Sequence, residues 1–85
     1  DQADEQLALA VARAQTGDKA AFAQIYRSQH RRVYALCVRL LGDRQLAEEL
    51  TQDAFIKAWQ QLHSFRGEAK FSTWLHRVTA NAVIS

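Results

Sequence analysis

Leu62–Asn81 reads LHSFRGEAKFSTWLHRVTAN. A long helical pattern entering from the N-terminal side breaks at His63–Ser64, and a loop over Ser64–Phe71 follows. Ser72 or Thr73 then caps a new helix. The loop carries Arg66 and Lys70 as phosphate-directed cations, Phe65 and Phe71 as aromatic surface, and Gly67, which permits a tight backbone path. The helix beyond it has an inner stripe of Trp74, Leu75, Val78 and Ala82, and beside the stripe Arg77 and Asn81 stand one turn apart. A guanidinium can hold a phosphate or stack on a base, and an amide can read a base edge with paired donor and acceptor. Trp74 reads better as core, and Arg77 also fits a merely solvated position. Asn81 favours a functional reading, because a helix interior gains little from asparagine.

The rest of the chain builds a bundle around this stretch. With 85 residues and 48% hydrophobic side chains there is material for one core. The absence of proline, the presence of only three glycines and the abundance of alanine predict an all-α fold of about four helices, the loop lying between the third and the fourth. The first helix is expected from about Asp4 to Thr16, with Leu7, Ala10, Val11 and Ala14 on one face and Gly17 at its end. Asp18 caps the second, which continues to about Leu41 with Phe22, Ile25, Tyr26, Val33, Leu36, Cys37 and Leu40 on one arc. Gly42–Asp43 repeats that punctuation. The third helix, about Arg44 to Leu62, has an apolar arc of Leu46, Leu50, Ala54, Phe55, Ala58 and Leu62. Its other side holds Glu48, Glu49, Gln52, Asp53 and Gln60 around Ile56, with Trp59 at the edge. Ile56 is either an ordinary exposed aliphatic or the anchor of a protein-binding patch.

The net charge of +2 is a weak signal for nucleic acid, but the charges are segregated. Arg27, Arg31, Arg32, Arg39 and Arg44 cluster, Glu48, Glu49 and Asp53 form an acidic block, and Lys57, Arg66, Lys70 and Arg77 follow. Two different partners would suit this pattern, although charge runs are more often solvated helix faces. Arg27 and Arg31, one turn apart, call for an acidic neighbour or a phosphate. His30, His63 and His76 share no ligand spacing with one another or with Cys37, so no metal is expected. Cys37 falls within an apolar arc as a small buried hydrophobe. No nucleophile–base set and no nucleotide-type glycine loop occurs, so neither catalysis, a cofactor nor a small-molecule substrate is expected. No apolar run approaches the ~20 residues of a membrane span, and no leader pattern is visible. The lone cysteine fits a reducing cytoplasm. A chain that begins at Asp1 without methionine reads as part of something longer.

Three runs in order, AAFAQIYRSQHRRVY (Ala20–Tyr34), AEELTQDAFIKAW (Ala47–Trp59, after Leu41-Gly42-Asp43) and FRGEAKFSTWLHRVTAN (Phe65–Asn81), closely resemble the second domain of bacterial RNA polymerase sigma factors of the extracytoplasmic-function type. The resemblance covers nearly all of residues 1–85, read as one such domain. It implies a compact helical bundle in the bacterial cytoplasm with two tasks. The third helix, through Glu48, Glu49, Gln52, Asp53, Ile56, Lys57 and Gln60, would dock on the clamp helices of the largest core polymerase subunit. The loop and fourth helix would bind the non-template strand of the minus-ten promoter element and hold one extruded base. On this resemblance Phe65, Gly67, Lys70, Phe71, Ser72 and Thr73 build or border the pocket, Asn81 contributes to base choice, and Arg66 and Arg77 hold the backbone or the loop.

This chain departs from the family pattern in carrying Glu49 and Asp53 where aspartate then glutamate is usual. A further departure is Ser85, where the family often has aspartate. The family's helix-turn-helix domain is not found in residues 1–85. The alternative reading is a protein-only helical interaction domain, bound by an anti-sigma factor on the same surfaces. An autonomous duplex-binding repressor is disfavoured, because no basic recognition helix is present.

Overall fold

The structure, a computed structural model, describes residues 2–84; Asp1 and Ser85, and with Ser85 the departure noted there, lie outside the described residues. Four helices follow one another: α1 (Gln2–Ala14), α2 (Lys19–Leu41), α3 (Arg44–Gln61) and α4 (Phe71–Ile84), with a single 3₁₀ turn, Leu62–Ser64, after α3. α2 packs on all three other helices and α3 packs on α4. The radius of gyration, 12.4 Å, matches the roughly 12 Å of a compact globule of this length. The expected all-α, four-helix fold is what forms.

The corners follow local chemistry. Gly42 takes φ +67° and donates its N–H to Val38 O at 2.8 Å, closing α2 in a left-handed cap that a side chain would strain. Asp43 Oδ1 then accepts from the N–H groups of Gln45 (3.0 Å) and Leu46 (3.1 Å), two of the donors that a helix start leaves without partners. Asp18 does the same for Ala21, at 3.2 Å. The first helix sits about two residues earlier than expected, ending at Ala14, because Gln15–Gly17 form the turn. The third stops at Gln61, and Leu62 belongs to the 3₁₀ turn.

The core gathers Val11, Ile25, Val33, Cys37, Phe55, Leu62, Phe71 and Leu75 around small alanines, which let the helices approach closely. Cys37 is fully buried, as its position on the wheel implies. Two expected core residues are not core: Leu40 is 50% exposed and Leu46 is 39% exposed. They flank Gly42–Asp43 at the corner of the domain, where a helical wheel cannot register that neighbours run out. Three polar residues, Gln29, Thr51 and Thr79, are buried.

Thr79 Oγ1 donates to Leu75 O at 2.8 Å, but Thr51 Oγ1, equally buried, has no partner among the described residues. An unmet buried hydroxyl costs about 1–3 kcal/mol. Thr51→Val, which keeps the shape and β-branching, is therefore expected to raise the thermal midpoint by roughly 4–8 °C for each kcal/mol recovered. A calorimetric midpoint that falls instead would show that the hydroxyl is bonded.

Candidate nucleic-acid and protein interfaces

The loop is held from both ends. On the α3 side, Phe65 N–H donates to Leu62 O (3.1 Å) and Ser64 Oγ to Gln61 O (2.6 Å), which tightens the chain into the 3₁₀ turn. Across the molecule, Gln15 Nε2 at the end of α1 donates to both Leu62 O (3.0 Å) and Phe65 O (2.8 Å). One amide thus satisfies two loop carbonyls and fixes where the loop leaves the bundle. Gly67 then turns the backbone at φ +77°.

At its far end the loop runs straight into α4. Lys70 O accepts from the N–H groups of Thr73 (3.0 Å) and Trp74 (3.1 Å), so the helix starts at Phe71. Ser72 and Thr73 are therefore first-turn residues and not the cap. The packing of Phe71 decides this: its ring is buried, edge-on to Phe65 (centroids 5.4 Å apart, 88°) and tilted against Trp74 (5.4 Å, 35°). Phe65 and Trp74 complete the triangle at 5.6 Å, and both remain half-buried.

Between this loop and α1 lies a cleft of about 430 Å³. Leu7 and Val11 of α1 and Phe65 and Phe71 of the loop side give it an apolar lining, and Gln15, Arg66, Gly67, Lys70 and Ser72 its polar groups. Such a mixture of apolar walls and few polar groups, at this volume, falls in the range of small-molecule sites, about 300–1,000 Å³. Lys70 Nζ stands 3.8 Å from Asp4 Oδ2, and both side chains are largely exposed. A pair so well solvated contributes little to stability, so the ammonium can exchange its carboxylate for another anion.

The residues expected to bind nucleic acid thus separate into three places. Phe65, Arg66, Gly67, Lys70, Phe71 and Ser72 line the loop cleft. Thr73 turns instead into a neighbouring cleft between α2 and α4. Arg77 and Asn81 are exposed one turn apart, on the flank of α4 opposite Ser72 and His76. Sequence reasoning missed Gln15 and the α1 wall, which lie far from the loop in the chain.

The second interface candidate is the outer face of α3. Ile56 is 56% exposed, as the wheel indicates. Glu48, Glu49, Gln52, Asp53 and Gln60 are exposed with it, and Lys57 is half-buried. Ile56 does not stand on a flat polar surface. With Gln52, Phe55, Trp59 and Gln60 it borders an open groove of about 500 Å³ whose opposite wall is Phe22 and Tyr26 of α2. Phe22 stacks edge-on with Trp59 at 5.0 Å, and Tyr26 lies 4.7 Å from the Phe55 ring. Phe22 and Tyr26 belong to the rim of this groove and only partly to the core arc where the wheel places them. The groove continues through Tyr26 and Gln52 past His30 and Tyr34 to Glu48.

Among the described residues no group of three His, Cys, Asp or Glu side chains is placed to hold a metal ion, and no helix is long and apolar enough to cross a membrane.

The small helical bundle thus carries two separate candidate binding faces, an aromatic loop cleft on one side and an aromatic–aliphatic groove on another. The chain belongs to the Sigma-70 region 2 family, whose profile matches residues 25–85. It is similar to the RNA polymerase sigma-H factor of Pseudomonas aeruginosa, 42% identical over 92% of this chain and 39% of that protein. It is also similar to the ECF RNA polymerase sigma factor SigW of Bacillus subtilis, 44% identical over 80% of this chain and 36% of that protein. The chain therefore spans less than half the length of these relatives. Among solved structures it resembles an engineered region 2 of sigmaE in complex with GTAAAA, with a TM-score of 0.83 and 36% identity over 89% of this chain and 79% of that one.

Proposed function

We propose that this domain docks on core RNA polymerase through the outer face of α3 and captures one extruded base of the minus-ten non-template strand in the loop cleft. Recognition and strand opening then become a single event, because a base held in a protein pocket cannot return to the stack. The observation that carries the reading is the cleft between α1 and the loop, apolar-walled and about 430 Å³, in a chain whose structural relative was solved with GTAAAA. Phe65, Gly67, Lys70 and Phe71 border the captured base, with Ser72 and Thr73 at the start of α4 beside it. Arg66 and Arg77 neutralise backbone phosphates, and Asn81 contributes to base choice. Glu48, Glu49, Gln52, Asp53, Ile56, Lys57 and Gln60 meet the clamp helices of the largest polymerase subunit. An anti-sigma factor is the further partner, and it would act by covering either face. The activity is binding, without a catalytic step, and is exercised in the bacterial cytoplasm.

The test is fluorescence anisotropy with labelled GTAAAA as a single strand and embedded in duplex. Unpairing and unstacking a base in duplex costs a few kcal/mol, so the single strand is expected to bind at least about tenfold more tightly. Equal affinities would remove the base-capture pocket from the account. Binding to polymerase alone, with neither DNA form bound, would support the protein-only reading.

A further inference from the structure

Ser72, in the first turn of α4, lines not one cleft but three. Beside the loop cleft, a second of about 540 Å³ runs between α1 and α2, and a third of about 390 Å³ runs between α2 and α4. The second shares Asp4, Leu7 and Ser72 with the loop cleft, and Gln29, Arg32 and Ser72 with the third. The three clefts therefore adjoin at Ser72, side by side as a segmented channel that leads from the loop cleft past the start of α4.

The character of the channel changes along its length. The loop cleft is apolar-walled, whereas beyond Ser72 the channel presents Arg13, Arg32, Gln29, Thr73 and His76. Arg13 and Arg32 are both exposed. The carboxylate on its walls, Asp4, sits near the loop end, 3.8 Å from Lys70 Nζ. Gln29 is the informative residue. It is 5% exposed on the buried face of α2, where helical periodicity calls for an apolar side chain. Its Nε2 donates to Ser28 Oγ at 3.2 Å, and the residue lines both outer clefts. A buried amide there gives the channel floor hydrogen-bonding capacity where an aliphatic residue would give none.

We propose that this channel is the track for the sugar–phosphate backbone of the nucleotides flanking the captured base, with Arg32 the main phosphate clamp and Arg13 the outer one. The inference rests on the base-capture reading of the loop cleft. A guanidinium pairs with phosphate through two parallel N–H···O bonds and keeps its charge at every working pH, which suits a sequence-independent grip. Base-edge contacts are not needed in this part of the path, so its chemistry complements the apolar loop cleft.

The test compares single-stranded GTAAAA with the same strand extended by four thymidines on the 5′ or the 3′ side. One extension is expected to tighten binding about tenfold at low salt through added phosphate contacts. Arg13→Gln/Arg32→Gln should abolish that gain and lower the salt slope by roughly 0.7 for each phosphate no longer neutralised. Arg27→Gln/Arg31→Gln, exposed on α2 but not lining the channel, should leave the gain intact. No gain from either extension would overturn the proposal, as would a gain that survives removal of both Arg13 and Arg32 or that falls equally in the control. If the short strand fails to bind while the extended strand binds through Arg13 and Arg32, the channel stands and the loop pocket falls. If neither strand binds, both fall.

Discussion

Ile56→Glu is expected to weaken binding to core polymerase by at least about 100-fold while leaving the fold in place. Because Ile56 is already 56% exposed, the substitution uncovers little buried surface, and glutamate is at least as good a helix former as isoleucine. The new carboxylate lies one turn from Asp53, a like-charge spacing that costs about 0.2–0.5 kcal/mol. The thermal midpoint should therefore move by only about 1–4 °C. Binding is a different matter. An aliphatic side chain beside the aromatic groove of Phe22, Tyr26 and Trp59 has the environment of an interface anchor. Truncating such an anchor costs about 2 kcal/mol or more. Burying an unpaired carboxylate adds to that, and about 2.7 kcal/mol is already 100-fold. Leu9→Glu supplies the comparison, since Leu9 is 62% exposed on α1, away from α3; it should bind polymerase normally. Competition against a labelled wild-type domain decides the matter, and an affinity within threefold of wild type for Ile56→Glu would remove the α3 groove from the interface.

The same groove marks the boundary of what the sequence could disclose. Glycine–aspartate corners, helix count and the exposure of Ile56 are consequences of local chemistry and about 100° of rotation per residue, so they are legible from the chain alone. Phe22 and Tyr26 were not, because periodicity assigns a face to the bundle side without saying whether a neighbour covers it. Leu40 fails for the related reason that a wheel has no ends. The start of α4 was misplaced because Ser72 and Thr73 have capping side chains, yet with Phe71 packed against Phe65 and Trp74 the helix already begins at Phe71. Gln15 could not have been found at all. Its role depends on two hydrogen bonds to Leu62 and Phe65, spanning 47 and 50 residues of chain. Of the loop cleft, then, the lining side chains that the loop itself supplies were visible and the α1 wall opposite them was not.

That distinction separates two phenylalanines that look equivalent in the sequence. Phe71→Ala is expected to lose about 3–5 kcal/mol of stability, because its ring is 5% exposed and the deletion leaves a cavity at the junction of loop and α4. For a domain of this size, whose whole stability is on the order of 4–13 kcal/mol, the thermal midpoint should drop by at least about 12 °C. Phe65→Ala should behave differently. Phe65 is half-buried, and its carbonyl remains held by Gln15 Nε2 at 2.8 Å whatever side chain it carries. Its removal should cost less than half as much stability. If its ring stacks on the captured base, however, single-strand affinity should fall by about 1–3 kcal/mol, roughly 5- to 150-fold. Thermal melts of both variants, with anisotropy at 10 °C where both are expected to be folded, separate the effects. A Phe65→Ala protein that melts as early as Phe71→Ala, or binds the single strand undiminished, would make Phe65 a packing residue and move the base contact to Arg66 or Lys70. A Phe71→Ala protein that melts near wild type would mean that the loop is not anchored by its aromatic triangle and that the Gln15 amide alone positions it.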